Sequence, residues 1–493
     1  MIKISDKVVK EQKNFWNNCL FHPTDAVEDP WGKRILDRMA SDGSIETVRI
    51  YAMFEDIAYL DENDNVVYDF RLSDLRLDYL IEKGYNLLIA YGMMPDFLAT
   101  NKFSTSNVSH KKTRYKGKLL NTSKPKDYKI WEEICYEYTK HIVQRYGEDT
   151  VAKWHLHCMN EPDIPDFFLS EVPPSEVDVR VEEYCKLYSG FANGILRVSD
   201  KLCFGGPALA GNLQFLEKFL KYIKESGTRL DYIALHNYAS TGPGQLNTEM
   251  KKICVSNWLE TMQNYIDTIE KCGFSDTELV LDEWGMVAAG FFNMEDCPSF
   301  VARETEVFSS YYVRMIAKIL EKGWDISKLM ICLSGQHEME TDFTGFRNFF
   351  TLNFIAKPIY NAHVLASKLK RGLVAVEKDN ENLSIIPTKD DGGNYAVLMT
   401  YCADDFDDEI PEITEEISFD EEFEGKTVTV WCIDRNTTNP YRLSRTLCIR
   451  KLGPAEIPVF RKNGTLKPVI QADAKEKISL KFLPNSVYLI EIS

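Results

Sequence analysis

Two glutamates end apolar, strand-like runs in this chain: Glu161 in KWHLHCMNEPD (153–163) and Glu283 in TELVLDEWG (277–285). A carboxylate that closes a core strand gives up water, which costs several kcal/mol unless the group is satisfied or used. One such residue could simply tidy a strand end. Two in equivalent settings could form a pair with separate tasks. Glycosidic bond cleavage requires such a pair, one carboxyl protonated to donate to the leaving oxygen and the other ionised to attack or to activate water. Raising a glutamate pKa by about two units costs ~2.7 kcal/mol, a cost an active site can carry. The charge on Glu283 would itself help to hold a proton on Glu161. That help would vanish once Glu283 is neutralised, so Glu161 could turn from acid to base.

The elements that must position these residues are readable from residue 15 to 370. Short apolar runs at 15–21, 46–54, 85–93, 153–160, 202–209, 231–238, 278–284 and 328–334 alternate with helical periodicity at 127–146, 177–198, 213–226, 258–272 and 305–322. Strands buried on both faces and separated by helices imply parallel βα units. Eight of them predict an α/β chain with a (β/α)8 TIM barrel, and place Glu161 and Glu283 on the fourth and seventh strands. Strand C-termini in such barrels face one shared mouth. No GxGxxG or GxxxxGK[ST] follows a strand, which counts against a nucleotide-binding sheet.

Beyond a helix-like stretch at 357–369 the texture changes. Runs at 383–387, 395–401, 427–433, 478–483 and 486–492 have no helices between them, and turn signals such as Asp391-Gly392-Gly393 separate them. A C-terminal β-sandwich domain over 371–493 is expected, packed on the barrel at 15–370, with residues 1–14 a candidate to pair with the sandwich. The stretch 404–424 carries twelve acidic residues and reads as a solvated edge or loop.

Composition narrows the partners. The formal net charge of −17 argues against nucleic acid or an anionic membrane surface. No apolar run is long enough for a membrane span, and the N-terminus lacks the apolar region of a secretory signal. The 12 cysteines are scattered without CxxC or zinc-like spacing, so a reduced, cytoplasmic setting is expected. His155 and His157 form an H-x-H pair, but no third ligand stands at suitable spacing. They read as inward-facing barrel residues, and neither metal nor cofactor is expected.

The order and spacing of several motifs resemble the retaining glycoside hydrolases of clan A, and more closely family 39, the β-xylosidases and α-L-iduronidases. The resemblance runs through YGMMPDFLA (91–99), PKDYKIW (125–131), KWHLHCMNEPD (153–163), FGGPALAG (204–211), LHNYAS (235–240), ELVLDEWG (278–285) and LNFIAKPIYNA (352–362). It implies that Glu161 is the acid/base and Glu283 the nucleophile. It also implies that Asn160 bonds the sugar 2-hydroxyl, that Arg49 braces the nucleophile, and that His236 and Tyr238 line the mouth.

The chain departs from the family where substrate choice is made. Met159 replaces a tryptophan, Tyr51 replaces a histidine, and Leu333 and Ser334 stand where an aromatic platform ends strand eight. The stacking face is expected to have moved to Trp284 or Tyr238. A basic loop, HKKTRYKGK (110–118), follows strand three and would suit an anionic sugar, although a solvated loop explains it as well. The leading expectation is an exo-acting, β-xylosidase-like enzyme on plant-type oligosaccharides. The alternatives are an α-L-arabinosidase, a β-galactosidase, a uronidase, or a catalytically silent carbohydrate-binding barrel. A homo-oligomer is compatible with all of these, since a neighbour's loop could complete the cleft.

Overall fold

The computed structural model describes residues 1–22, 24–106, 120–240, 253–288, 293–295, 297–333, 341–421, 423–475 and 477–493. The basic loop 110–118 and Ser334 fall outside this set.

Eight parallel strands close into the expected barrel: Asn18–Phe21, Thr47–Tyr51, Asn86–Tyr91, His155–Cys158, Cys203–Leu209, Tyr232–Ser240, Glu278–Val287 and Ile326–Leu333. Each pairs with the next, and the last returns to the first. The register aligns Leu20, Arg49, Leu88, His155 and Cys203 across neighbouring strands. Because successive side chains alternate in direction, this row and every second residue from it share the interior face. The interior is filled by Leu88, Ala208, Tyr232, Ala234, Val280 and Met330, so the barrel is a packed core with a polar mouth. Gly205 is dictated by that packing, since a Cβ there would lie 2.2 Å from the Tyr232 carbonyl oxygen.

The helices begin and end where local chemistry directs. Leu213–Ser226 starts at Asn212, whose side chain accepts from the Phe215 N–H, and stops at Gly227 in the left-handed region (φ 69°). Phe215, Leu216, Phe219, Leu220 and Ile223 form its buried stripe. Glu306–Lys322 is buried on nearly every side, because it lies between the barrel and the second domain. Its Arg314 donates to the Cys402 carbonyl at 2.7 Å, and its Glu306 accepts from Asn439 and Arg442. Among the described residues, no helix is long and apolar enough to cross a membrane.

The C-terminal strands form one nine-stranded mixed sheet. Tyr395 packs on Phe419 at 5.5 Å and Tyr401 on Phe482 at 6.4 Å, although their strands stand well apart in the sheet order. The sheet therefore curls over a single core into a sandwich. The strand Ile2–Glu11 lies inside it, antiparallel to Gly372–Lys378 and parallel to Ile413–Phe419.

The last of these corrects the reading of 404–424 as edge or loop. Ile413–Phe419 is an interior strand, between Ile2–Glu11 and Lys477–Phe482. Its alternation is hidden by glutamates whose charges are met from outside, Glu415 by the terminal amine at 2.7 Å and Glu416 by Lys477 at 2.7 Å. Strands 372–378 and 468–473, the hairpin 58–68 and the short helices near 440 and 457 also went unrecognised in the sequence.

Ile4 is fully buried in the sandwich core. Ile4→Ala is expected to remove about 2–5 kcal/mol in urea unfolding. A loss below about 1 kcal/mol would show that the first strand is not integral to that core.

Candidate active site

The site lies at the C-terminal ends of strands two, four, six and seven, and two local devices build it. The first is the turn after strand four. Met159 and Glu161 both take left-handed backbone (φ 62° and 43°), and the Glu161 N–H donates to the Ala208 carbonyl at 2.9 Å. Backbone in this region costs energy for residues with a Cβ, so the surrounding bonds must hold it. Asp163 does part of this by accepting from the amides of Ala210, Gly211 and Asn212.

The second device is a bulge in strand seven. Leu281 pairs with Leu235 and Glu283 with His236, so the extra residue shifts the alternation by one. Two consecutive carboxylates, Asp282 and Glu283, can thereby both meet the same interior guanidinium. Arg49, fully buried, lies 3.2 Å from Asp282 Oδ2 and 2.7 Å from Glu283 Oε1, and also donates to Asn160 Oδ1.

The same parity change corrects one expectation. Trp284 faces away from the mouth, fully buried, with its ring stacked on Tyr311 and Tyr312 at 5.9 and 5.7 Å. It cannot serve as a sugar platform. Tyr238 does reach the mouth, where its hydroxyl donates to Glu283 Oε2 at 2.8 Å. Tyr51 lies edge-on to His22, with the Arg49 guanidinium 5.5 Å from its ring. Glu161, Glu283, Arg49, Tyr51, Asn160, His236 and Tyr238 thus converge, and Trp284 stands apart.

Two members of the cluster went unnoticed in the sequence. Asp282 could have been found from its place beside Glu283, had the bulge been foreseen. Arg347 lies in an irregular segment after strand eight, with no periodicity to flag it. It donates to the Tyr238 hydroxyl at 2.9 Å.

Electrostatics separates the two glutamates. Burial pushes the Glu161 carboxyl up to about 7, and the charge of Glu283 adds to this against the opposing hydrogen bond from His236. Burial acts on Glu283 in the same sense, but His236, Arg49 and Arg347 outweigh it and hold Glu283 down at about 2. His236 is raised to about 10, because Glu283 and Asp282 overcome its burial. It is therefore an imidazolium, with Nδ1 2.7 Å from Glu161 Oε1 and Nε2 3.5 Å from Asp282 Oδ1. One carboxylate oxygen of Glu161 and one of Glu283 lie within 4.8 Å of each other.

Glu161, His236 and Glu283 have ligand types and proximity compatible with a metal, although Arg49 already supplies a positive charge to Glu283. His155 does meet a second and third possible ligand, Cys203 and Glu278, brought together by folding rather than by sequence spacing. Its Nε2 is engaged with Glu278 at 3.0 Å. His157 points instead at Arg49 and Asp282, and burial with the nearby Arg49 charge lowers it to about 3.

Three comparisons bear on this geometry. The sequence profile described as glycosyl hydrolases family 39 matches residues 1–473. A β-xylosidase of Caldicellulosiruptor saccharolyticus is 29% identical over 229 residues, covering 45% of this chain and 43% of that protein. A β-xylosidase of Geobacillus stearothermophilus is 25% identical over 349 residues, covering 67% of this chain and 61% of that one. The matched stretches thus span less than two thirds of either relative. The crystal structure of a monomeric β-xylosidase from Caulobacter crescentus CB15 superposes with a TM-score of 0.84 at 17% identity, over 100% of this chain and 99% of that one.

Trp284→Ala is expected to lower the unfolding free energy by about 3–5 kcal/mol, as for an aromatic deleted from a packed core. Urea titration checks it, and a loss under about 1 kcal/mol would return Trp284 to the mouth as a candidate platform.

Proposed function

The chain belongs to glycosyl hydrolase family 39, and from that premise we propose that it is a retaining, exo-acting glycosidase of the β-xylosidase type, with Glu161 as acid/base and Glu283 as nucleophile. One observation carries the mechanism. One carboxyl oxygen of Glu161 lies within 4.8 Å of one of Glu283, and their pKa values are driven apart, one to about 7 and the other to about 2. Retaining enzymes set their carboxyl groups about 5–5.5 Å apart, whereas inverting enzymes leave about 6.5–9.5 Å for a water.

In the first step Glu161 gives its proton to the glycosidic oxygen as the bond to the anomeric carbon breaks. Glu283 forms an ester with that carbon from the opposite face. Arg49 and Tyr238, which hold the two oxygens of Glu283, keep the carboxylate oriented for attack. Esterification removes the negative charge of Glu283, which had helped to keep Glu161 protonated. The cations Arg49 and His236 then face Asp282 with less opposing charge, which favours ionised Glu161. In the second step Glu161 takes a proton from water as the water attacks the anomeric carbon. This cleaves the ester, restores Glu283 and releases the sugar with its configuration retained.

The choice of a β-xyloside rests on the two β-xylosidases the chain resembles. Met159 is buried in the catalytic turn, and of Trp284 and Tyr238 only Tyr238 reaches the mouth. The sugar is therefore to be settled by a screen of aryl β-xyloside, α-L-arabinosides, β-galactoside, β-glucoside and α-iduronide. Release from the β-xyloside is expected, falling on the order of 10⁴-fold or more in Glu283→Ala. Glu161→Gln should lose about 10²–10⁴-fold on poor leaving groups and far less on dinitrophenyl glycosides, which need no proton. Equal, small losses from both variants would sink the assignment, and silence of the wild type towards every glycoside would favour a binding-only barrel.

The pH profile is a separate check. Activity needs Glu283 ionised and Glu161 protonated, so kcat/KM should fall as pH rises through about 7. Its acid limb should lie well below the ordinary glutamate range. An alkaline limb that survives unchanged in Glu161→Gln would contradict the acid/base assignment.

A further inference from the structure

We propose that Arg347 is a positioning residue for Glu283, acting through Tyr238: its guanidinium donates to the tyrosine oxygen and so fixes the hydroxyl proton on the Glu283 carboxylate. This rests on the reading of Glu283 as nucleophile.

The geometry is a chain of two bonds. Arg347 Nη1 lies 2.9 Å from the Tyr238 oxygen, and that oxygen lies 2.8 Å from Glu283 Oε2. A phenol has one proton to give. With an arginine N–H donated to its oxygen, the proton goes to the Glu283 carboxylate, a far stronger acceptor than the Cys332 thiol that also adjoins the phenol. Glu283 is thus braced on both oxygens. Arg49 acts directly on Oε1 from strand two, and Arg347 acts on Oε2 from the segment after strand eight, with a tyrosine between.

The surroundings of Arg347 indicate that its place is built. Gly345, two residues before it, donates its N–H to Glu304 Oε1 at 2.7 Å and accepts from Arg303 Nη1 at 3.2 Å. The Phe346 carbonyl accepts from Lys357 Nζ at 3.1 Å, and Lys357 is itself paired with Glu304 at 2.6 Å. Both members of that ion pair are essentially inaccessible to water. A buried pair returns little net stability for its desolvation, so fixing one conformation of 345–347 accounts for it better than stability does. Gly345 has φ 82°, and a Cβ there would lie 2.7 Å from Met294 Cγ and 3.1 Å from the Phe300 carbonyl oxygen, so any larger residue would be strained at this turn. Arg347 is also among the groups that hold Glu283 ionised.

The test is the acid limb for Glu283 in wild type, Arg347→Met, Arg347→Lys, Tyr238→Phe and the Arg347→Met/Tyr238→Phe double variant. It is read as the pH dependence of Glu283 esterification by glycidol, a small epoxide, followed by peptide mass. This readout needs an ionised Glu283 but no glycoside turnover. A failure of the glycosidase reading would show separately, as wild-type silence towards aryl glycosides.

Arg347→Met is expected to move the limb up by about one pH unit, with Arg347→Lys intermediate. In the Tyr238→Phe background the same substitution should move it by clearly less, because only the direct charge of Arg347 on Glu283 then remains. Equal shifts in the two backgrounds would overturn the relay. So would an unmoved limb accompanied by a raised KM for aryl glycosides, which would make Arg347 a substrate contact. Arg347→Lys keeps the charge and secures the comparison should Arg347→Met fail to fold.

Discussion

A guanidinium sealed from water inside a barrel must be met by carboxylates, and the rest of this mouth depends on how Arg49 meets that demand. An unpaired buried cation would cost several kcal/mol. Asp282 and Glu283 supply two negative charges from consecutive positions of one strand, which regular alternation forbids and a one-residue bulge permits. The bulge therefore sets the charge balance of the site. It also sends Trp284 outward into the aromatic stack on helix Glu306–Lys322, and so ties the mouth to the helix on which the second domain rests.

The difference between the two glutamates follows from that arrangement. Both are buried, and burial alone would raise both. Glu283 is surrounded by Arg49, His236 and Arg347 and stays ionised. Among the described residues the cation paired with Glu161 is His236, which is shared with Asp282 and Glu283, so burial prevails. His236 couples the three carboxylates and accounts for the response of Glu161 to the charge on Glu283.

Much of this was legible in the sequence, for identifiable reasons. The eight barrel strands are short, apolar and punctuated by helices with strong periodicity, so their existence and order could be read directly. Asn160, Glu161 and Glu283 were visible because polar residues interrupt apolar runs at strand ends. Trp284 was misplaced because the bulge at Asp282 leaves no trace in composition, and a shift of one residue reverses every side chain beyond it. Arg347 was invisible because its position is set by Glu304, Arg303 and Lys357, which reach it only after folding. The strand Ile413–Phe419 was hidden by its own charges, whose partners at Met1 and Lys477 lie far away in sequence.

The claim on which the account stands is that Glu283 becomes covalently bonded to the sugar. The measurement that reaches it most directly is mass analysis of the protein after reaction with a dinitrophenyl 2-deoxy-2-fluoro-β-xyloside, in which the fluorine slows breakdown of the ester. The account expects one fluoroxylosyl adduct, confined to the peptide carrying Glu283. An adduct on a different carboxylate would contradict it, as would a first-formed product of inverted configuration with no adduct at all.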